Sequence, residues 1–179
     1  VMAAMSLTAA LQTIVSRNAD PREAAVLSIT QIHAGSAYNV IPEEAVLAGT
    51  IRTFTEETGE LVRQRMREIA AGTAATFGVS IDVDIRNIFN VLVNHDIPAQ
   101  AMAEVAAEIV GTPNVLTEPK AMMGSEDFAD MLRVVPGAYA WVGHAGDVPV
   151  HNPAYVLDDG ILPVGASLLA RIVETRAAG

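Results

Sequence analysis

A change of hydrophobic period between residues 62 and 85 constrains this chain more than any other feature. Val62, Met66, Ile69, Thr73 and Phe77 recur at helical spacing, Gly78 follows, and Val79, Ile81, Val83 and Ile85 then alternate with Ser80, Asp82 and Asp84. The first pattern predicts an amphipathic helix and the second a strand with one buried face. Thr55 is expected to cap that helix, Glu56 and Glu57 to complement its positive end, and Gly78 to stop it. An amphipathic helix running directly into a half-buried strand must share a core with it. The chain is therefore expected to layer helices on a sheet.

Upstream, Leu7, Ala10, Leu11, Ile14 and Val15 predict a helix ending near Asn18 and Pro21, and Ala25 to His33 and Ala45 to Phe54 read as strands around a turn at Asn39 to Pro42. The order helix, strand, strand, helix, strand is one strand short of the split βαβ unit. The absent strand is expected before Val1. The helical pattern starts at once, with neither an initiator methionine nor a cap residue ahead of it, so the chain reads as cut from something longer.

After Asn87 to Asn94 the pattern changes. Pro98 is expected to open a helix carrying Met102, Val105, Ala106 and Ile109, with Gly111 closing it. Strands are expected at Val115 to Glu118 and Ala138 to Gly143, a short helix from Ser125, and a last helix with Leu168, Leu169, Ile172 and Val173. The expected class is α/β, with one domain over residues 1–88 and a second over 89–179.

Composition excludes several roles. Of 179 residues, 21 are acidic and 11 basic, a net charge of -10 that would repel a phosphate backbone or an anionic membrane surface. Neither nucleic acid nor membrane is an expected partner. No cysteine is present, so disulfides and thiolate metal sites cannot be built from these residues. No apolar run reaches the roughly 18 residues a membrane helix needs, and no basic residue precedes Arg17 as in a signal peptide. The expected location is the cytoplasm.

Three stretches carry candidate chemistry. In "GSAYNVIPEEAVLAGTIRTF", Asn39 and Arg52 read either as a turn residue and an exposed strand residue, or as an amide and a guanidinium fork that bind a carboxylate. In "GSEDFADMLRVVPGAYAWVG", Ser125 with Glu126 and Asp127 is a good helix start, and its free N–H groups could also take a substrate carboxylate. In "GDVPVHNPAYVLDDG", His151 sits in a proline-flanked loop after a strand, placed either as an ordinary surface histidine or as a metal ligand. One histidine is not a metal site, since a catalytic zinc wants about three protein ligands. His33, His95 and His144 show no helical pairing with it.

Together, and in this order, the three stretches resemble the metal-dependent amidohydrolases, the family of hippurate hydrolases, aminoacylases, auxin-conjugate hydrolases and carboxypeptidase G. The resemblance spans essentially the whole chain. It implies a ferredoxin-like lid or dimerisation domain lacking its first strand, followed by the C-terminal part of an α/β catalytic domain. By resemblance, His151 matches a ligand to one of two divalent metals (Zn, Mn, Co or Ni), and Asn39 and Arg52 match the lid residues that hold the substrate's carboxylate. Gly124 and Ser125 fall at the active-site rim. The implied activity is hydrolysis of the amide of N-acyl amino acids by a homodimer joined through its lids. The general-base glutamate, the other metal ligands and the lid histidine of that family are expected upstream of Val1, so residues 1–179 alone are expected to be inactive. The alternative is a stand-alone, non-catalytic dimerisation or ligand-binding module.

Overall fold

The computed structural model describes residues 1–177. They fall into two compact units, Val1–Val91 together with Met123–Ser125, and Leu92–Met122 together with the chain from Glu126 onward.

In the first unit, helices α1 (Met2–Leu11) and α2 (Thr13–Arg17) precede strands β1 (Ala25–Ala34) and β2 (Ala45–Thr53), and a long helix α3 (Glu56–Phe77) follows. The strands form an antiparallel pair in which Leu27 faces Ile51 and Ile32 faces Leu47. One face of this pair meets α1, α2 and α3 around Leu7, Leu11, Ile14, Leu27, Val62 and Ala70, with Ile14 and Val62 at 0% exposure. Burying a side chain of this size fully is worth about 1.5 to 3 kcal/mol. The helical spacing read from the sequence therefore marks the core directly. The stripe is narrower than expected at its far end, because Phe77 remains 41% exposed.

The register shifts between Ile29 and Gln31, where a bulge interrupts the ladder. Gly49 lies opposite Ile29, and a Cβ there would stand 2.1 Å from the Ser28 carbonyl oxygen. No side chain fits beside that carbonyl. Helix α3 begins as predicted: the Thr55 hydroxyl oxygen accepts from the Thr58 N–H at 3.2 Å, and Glu56 and Glu57 occupy the first turn. It ends at Gly78, whose φ of 63° is the left-handed conformation that closes helices. Replacing Thr55→Ala is expected to lower stability by about 1 kcal/mol, read as an earlier chemical-denaturation midpoint with unchanged slope.

The strand predicted at Val79–Ile85 does not form a ladder. Ile81 and Val83 still pack on the core, so the alternation is real, but the only strands paired among the described residues are β1 and β2. A period of two specifies which side chains turn inward; a strand also needs a neighbouring backbone.

In the second unit, α4 (Asp96–Val110) and α6 (Leu162–Ala177) pack together, linked by Arg171 Nε donating to Glu108 at 2.8 Å. Between them lie a 3-10 turn (Thr112–Asn114), the five-residue helix α5 (Phe128–Leu132) and a second 3-10 turn (Asp159–Ile161). Helix α4 starts two residues before Pro98, which sits in the first turn where its missing N–H costs nothing. Gly111 closes it. On α6, Leu168 and Ile172 are half-buried while Leu169 and Val173 stay exposed. The strands predicted at Val115–Glu118 and Ala138–Gly143 are likewise unpaired. In the second case a side chain replaces the ladder: Asn94 donates to the Tyr139 carbonyl at 2.9 Å and accepts from the Tyr139 N–H at 2.8 Å. The fold is thus mixed α/β with one two-stranded antiparallel sheet. Among the described residues no helix is long and apolar enough to cross a membrane.

Candidate functional site

Arg52 lies on β2 opposite Val26, on the strand face that turns outward from the core, and is exposed. Its Nη1 donates to the carbonyl of Met123, the residue immediately before Gly124 and Ser125. The structure therefore brings three of the predicted residues to one place within the first unit. A guanidinium carries five N–H donors; among the described residues the Arg52 side chain bonds this one carbonyl, and the side chain is exposed. Gly124 is open, with nothing within 4 Å of where a Cβ would stand. Ser125 does not cap a helix, because α5 begins only at Phe128. Asn39 is exposed in the loop between β1 and β2, and its backbone is not left-handed. Asn39 lies in a turn, as its structural alternative expects, while the left-handed residue of that loop is Gly35, with φ at 72°.

In the second unit, His151 is exposed and has φ at 69°, the one non-glycine positive φ among the described residues. Left-handed backbone costs an L-residue about 1 to 2 kcal/mol, so neighbouring bonds must impose it. Those bonds come from Asn152. Its N–H donates to the Pro149 carbonyl at 3.3 Å, its carbonyl accepts from Tyr155, and its side-chain oxygen accepts from the Ala154 N–H at 2.9 Å. The His-Asn-Pro turn thus braces the strained backbone at His151, whose side chain is exposed. His144 serves the same loop region structurally: its Nδ1 accepts from the Gly146 N–H at 3.1 Å while its ring meets Tyr155 edge to face. His95 accepts from the Gly137 N–H at 3.2 Å through Nδ1.

Sequence reasoning missed a third cluster. Tyr139 donates its hydroxyl to Glu126 Oε2 at 2.9 Å, and the other Glu126 oxygen faces the Phe128 N–H at 3.5 Å. This hydroxyl, followed by Asp127, holds the Glu126 carboxyl below the usual range. The same bond pushes the Tyr139 phenol up. The rings of Phe128, Tyr139 and Trp141 follow one another at 5.8 and 5.9 Å. The period-two spacing of Tyr139 and Trp141 was the available clue, since it puts both rings on one side of an extended segment.

Whether these residues could hold a metal pair can be tested directly. His151 offers one imidazole, but among the described residues no group of three or more His, Asp or Glu side chains converges as a metal site requires. The residues in hand do not complete such a site, and no chemical step is derived through one.

The geometry defines an α/β protein with a guanidinium near a loop backbone in one unit and a strained histidine turn in the other. Residues 8–175 match the model of Peptidase family M20/M25/M40, and the chain belongs to that family. It is 34% identical over 172 residues to a hippurate hydrolase of Campylobacter jejuni, covering 96% of this chain and 45% of that protein. An N-acetyldiaminopimelate deacetylase of Streptococcus sanguinis is 37% identical over 175 residues, with 97% and 46% covered. An N-acetylcysteine deacetylase of Bacillus subtilis is 35% identical over 172 residues, with 96% and 44% covered. Among solved structures, a dinuclear metal-binding peptidase of the M20 family from Bacillus subtilis superposes with a TM-score of 0.78 at 32% identity, over 96% of this chain and 44% of that one. The chain spans about half the length of the curated relatives it matches.

Proposed function

We propose that this chain is part of a metal-dependent amidohydrolase that cleaves the amide bond of N-acyl amino acids. The observation that carries the reading is His151, exposed and strained in a braced His-Asn-Pro turn of a chain matched over residues 8–175 to a peptidase family. The names of the three relatives share one chemistry, an acyl group on the nitrogen of an amino acid. In this reading residues 1–88 are a ferredoxin-like lid and residues 89–179 the C-terminal part of the catalytic domain. Support for the lid comes from Val79–Ile85, which packs on the core with strand alternation but no ladder partner, as a sheet lacking one strand would leave it.

Arg52 and Asn39 bind the free carboxylate of the substrate, and the Gly124–Ser125 backbone lines the rim. Holding the carboxylate fixes where the scissile carbonyl lies, and such positioning is a large part of catalysis. A pair of divalent cations (zinc, manganese, cobalt or nickel), when bound, supplies Lewis-acid activation and a nucleophilic water. His151 contributes one ligand to it. The remaining ligands and the general base come from the half of the family sequence that this chain does not span. The protein pairs into a homodimer through its lid.

The second reading is a stand-alone, non-catalytic dimerisation or ligand-binding module. One set of experiments separates the two. Metal-loaded 179-residue protein is expected to show no hydrolysis of N-acyl amino acids and to run as a dimer in light scattering, while the complete hydrolase turns over the same substrates. Turnover by the short protein would overturn the division of labour; a strictly monomeric, folded protein would overturn the lid assignment.

A further inference from the structure

We infer that His144 is a positioning residue for His151: through the ring of Tyr155 it holds the His-Asn-Pro turn in its strained form. The inference deepens the proposed function, on which it rests for what His151 binds, and its geometry lies wholly within the second unit. Three observations combine. First, the turn needs an anchor. His151 stands at φ of 69°, yet the Asn152 N–H reaches the Pro149 carbonyl only at 3.3 Å, and left-handed backbone at such a residue persists only where the surrounding structure over-determines it. Second, the anchor is Tyr155. Its N–H closes the turn on the Asn152 carbonyl at 2.9 Å, and within residues 151–160 it alone is half-buried. Whatever fixes the Tyr155 ring fixes the turn.

Third, the ring that meets Tyr155 is that of His144, and its place is set. The two rings stand edge to face with centroids 5.5 Å apart and planes at 85°, an arrangement that aromatic pairs favour. The Gly146 N–H donates to His144 Nδ1 at 3.1 Å, and a Cβ at position 146 would stand 2.4 Å from His144 Cε1. Gly146 is not left-handed, so the close approach of the imidazole, and not the backbone conformation, calls for glycine there.

Amide hydrogen exchange at Ala154 and Tyr155 reports the turn, since both N–H groups bond Asn152. In the metal-free complete hydrolase of the proposed function, His144→Ala and Gly146→Ala should each speed that exchange roughly two- to tenfold, the range an edge-to-face pair gives. His144→Phe keeps a ring against Tyr155 and should keep the native exchange. Zinc affinity of the same protein should fall roughly twofold or more in the first two variants and recover in the third, because strain drives the unbraced turn from its pose and the metal binds only the fraction that holds it. Unchanged exchange in His144→Ala would overturn the brace. Faster exchange with unchanged zinc affinity, where His151→Gly does lower that affinity, would leave His144 a purely structural residue and overturn its positioning role. Zinc affinity that His151→Gly leaves intact would sink the proposed function alone, and the exchange rates would still decide the brace.

Discussion

Replacing Arg52→Ala in the complete hydrolase of the proposed function is expected to lower kcat/KM for N-acyl amino acids roughly ten- to a hundredfold. The estimate follows from the loss of a charge-assisted hydrogen bond, about 1.5 to 3 kcal/mol, at 1.4 kcal/mol per factor of ten. Arg52 is exposed on the outer face of β2 and is not among the side chains packed in the cluster around Ile14 and Val62, so its removal should spare the fold. The control is chemical. The matching N-acyl amino amide, which has no carboxylate, should lose almost nothing, because the guanidinium fork has no anion to grip in that substrate. An equal loss on both substrates would mean that Arg52 acts by holding the Met123 carbonyl rather than by binding substrate. Arg52→Lys should restore only part of the activity, since an ammonium cannot make the paired contact.

His151→Gly is expected to weaken binding of one divalent ion by at least about a hundredfold. Changes to groups that merely orient a ligand already cost about 10- to 100-fold, and removing the ligand should cost no less. Glycine is chosen over alanine because φ at 69° is free for glycine and strained for every side chain. The variant should therefore be at least as stable without metal as the native protein, by thermal denaturation in a chelator. That combination, better or equal folding with worse metal binding, is what a side chain kept for function and held under strain would give. If His151 were an ordinary surface residue, the same change would stabilise the turn and alter metal binding not at all.

The parts of the fold that depend on near neighbours were legible. Leu7, Leu11, Ile14 and Val62 lie in the core where helical spacing put them, Thr55 and Gly78 bound α3 as their chemistry predicts, and the hairpin strands begin and end within a residue of expectation. What failed depended on distant backbone. Residues 79–85 and 138–143 have strand patterns, yet pattern alone supplies no partner: the first finds only side-chain packing and the second finds Asn94, 45 positions away. Ser125 failed as a cap for a related reason. The loop is organised by Glu126 reaching Tyr139, thirteen positions on, which delays the helix to Phe128.

The candidate site divides in the same way. Arg52, Gly124 and Ser125 were candidates through the family resemblance, and the Arg52 contact with Met123 brings them close together. The strain at His151 was invisible, because it arises from the Asn152 bonds and not from composition. The Glu126, Tyr139 and Trp141 string was hidden because each residue looks ordinary alone, Glu126 as a helix-start acid and the two aromatics as members of an expected strand.

The most direct test of the account is a count of bound metal. Equilibrium dialysis of the complete hydrolase against zinc, followed by elemental analysis, should give two equivalents per chain, and His151→Gly should retain one or fewer at the same free zinc. Two equivalents held with unchanged affinity by that variant would show that His151 ligates nothing, and the reading of this chain as part of a dinuclear amidohydrolase centre would fall with it.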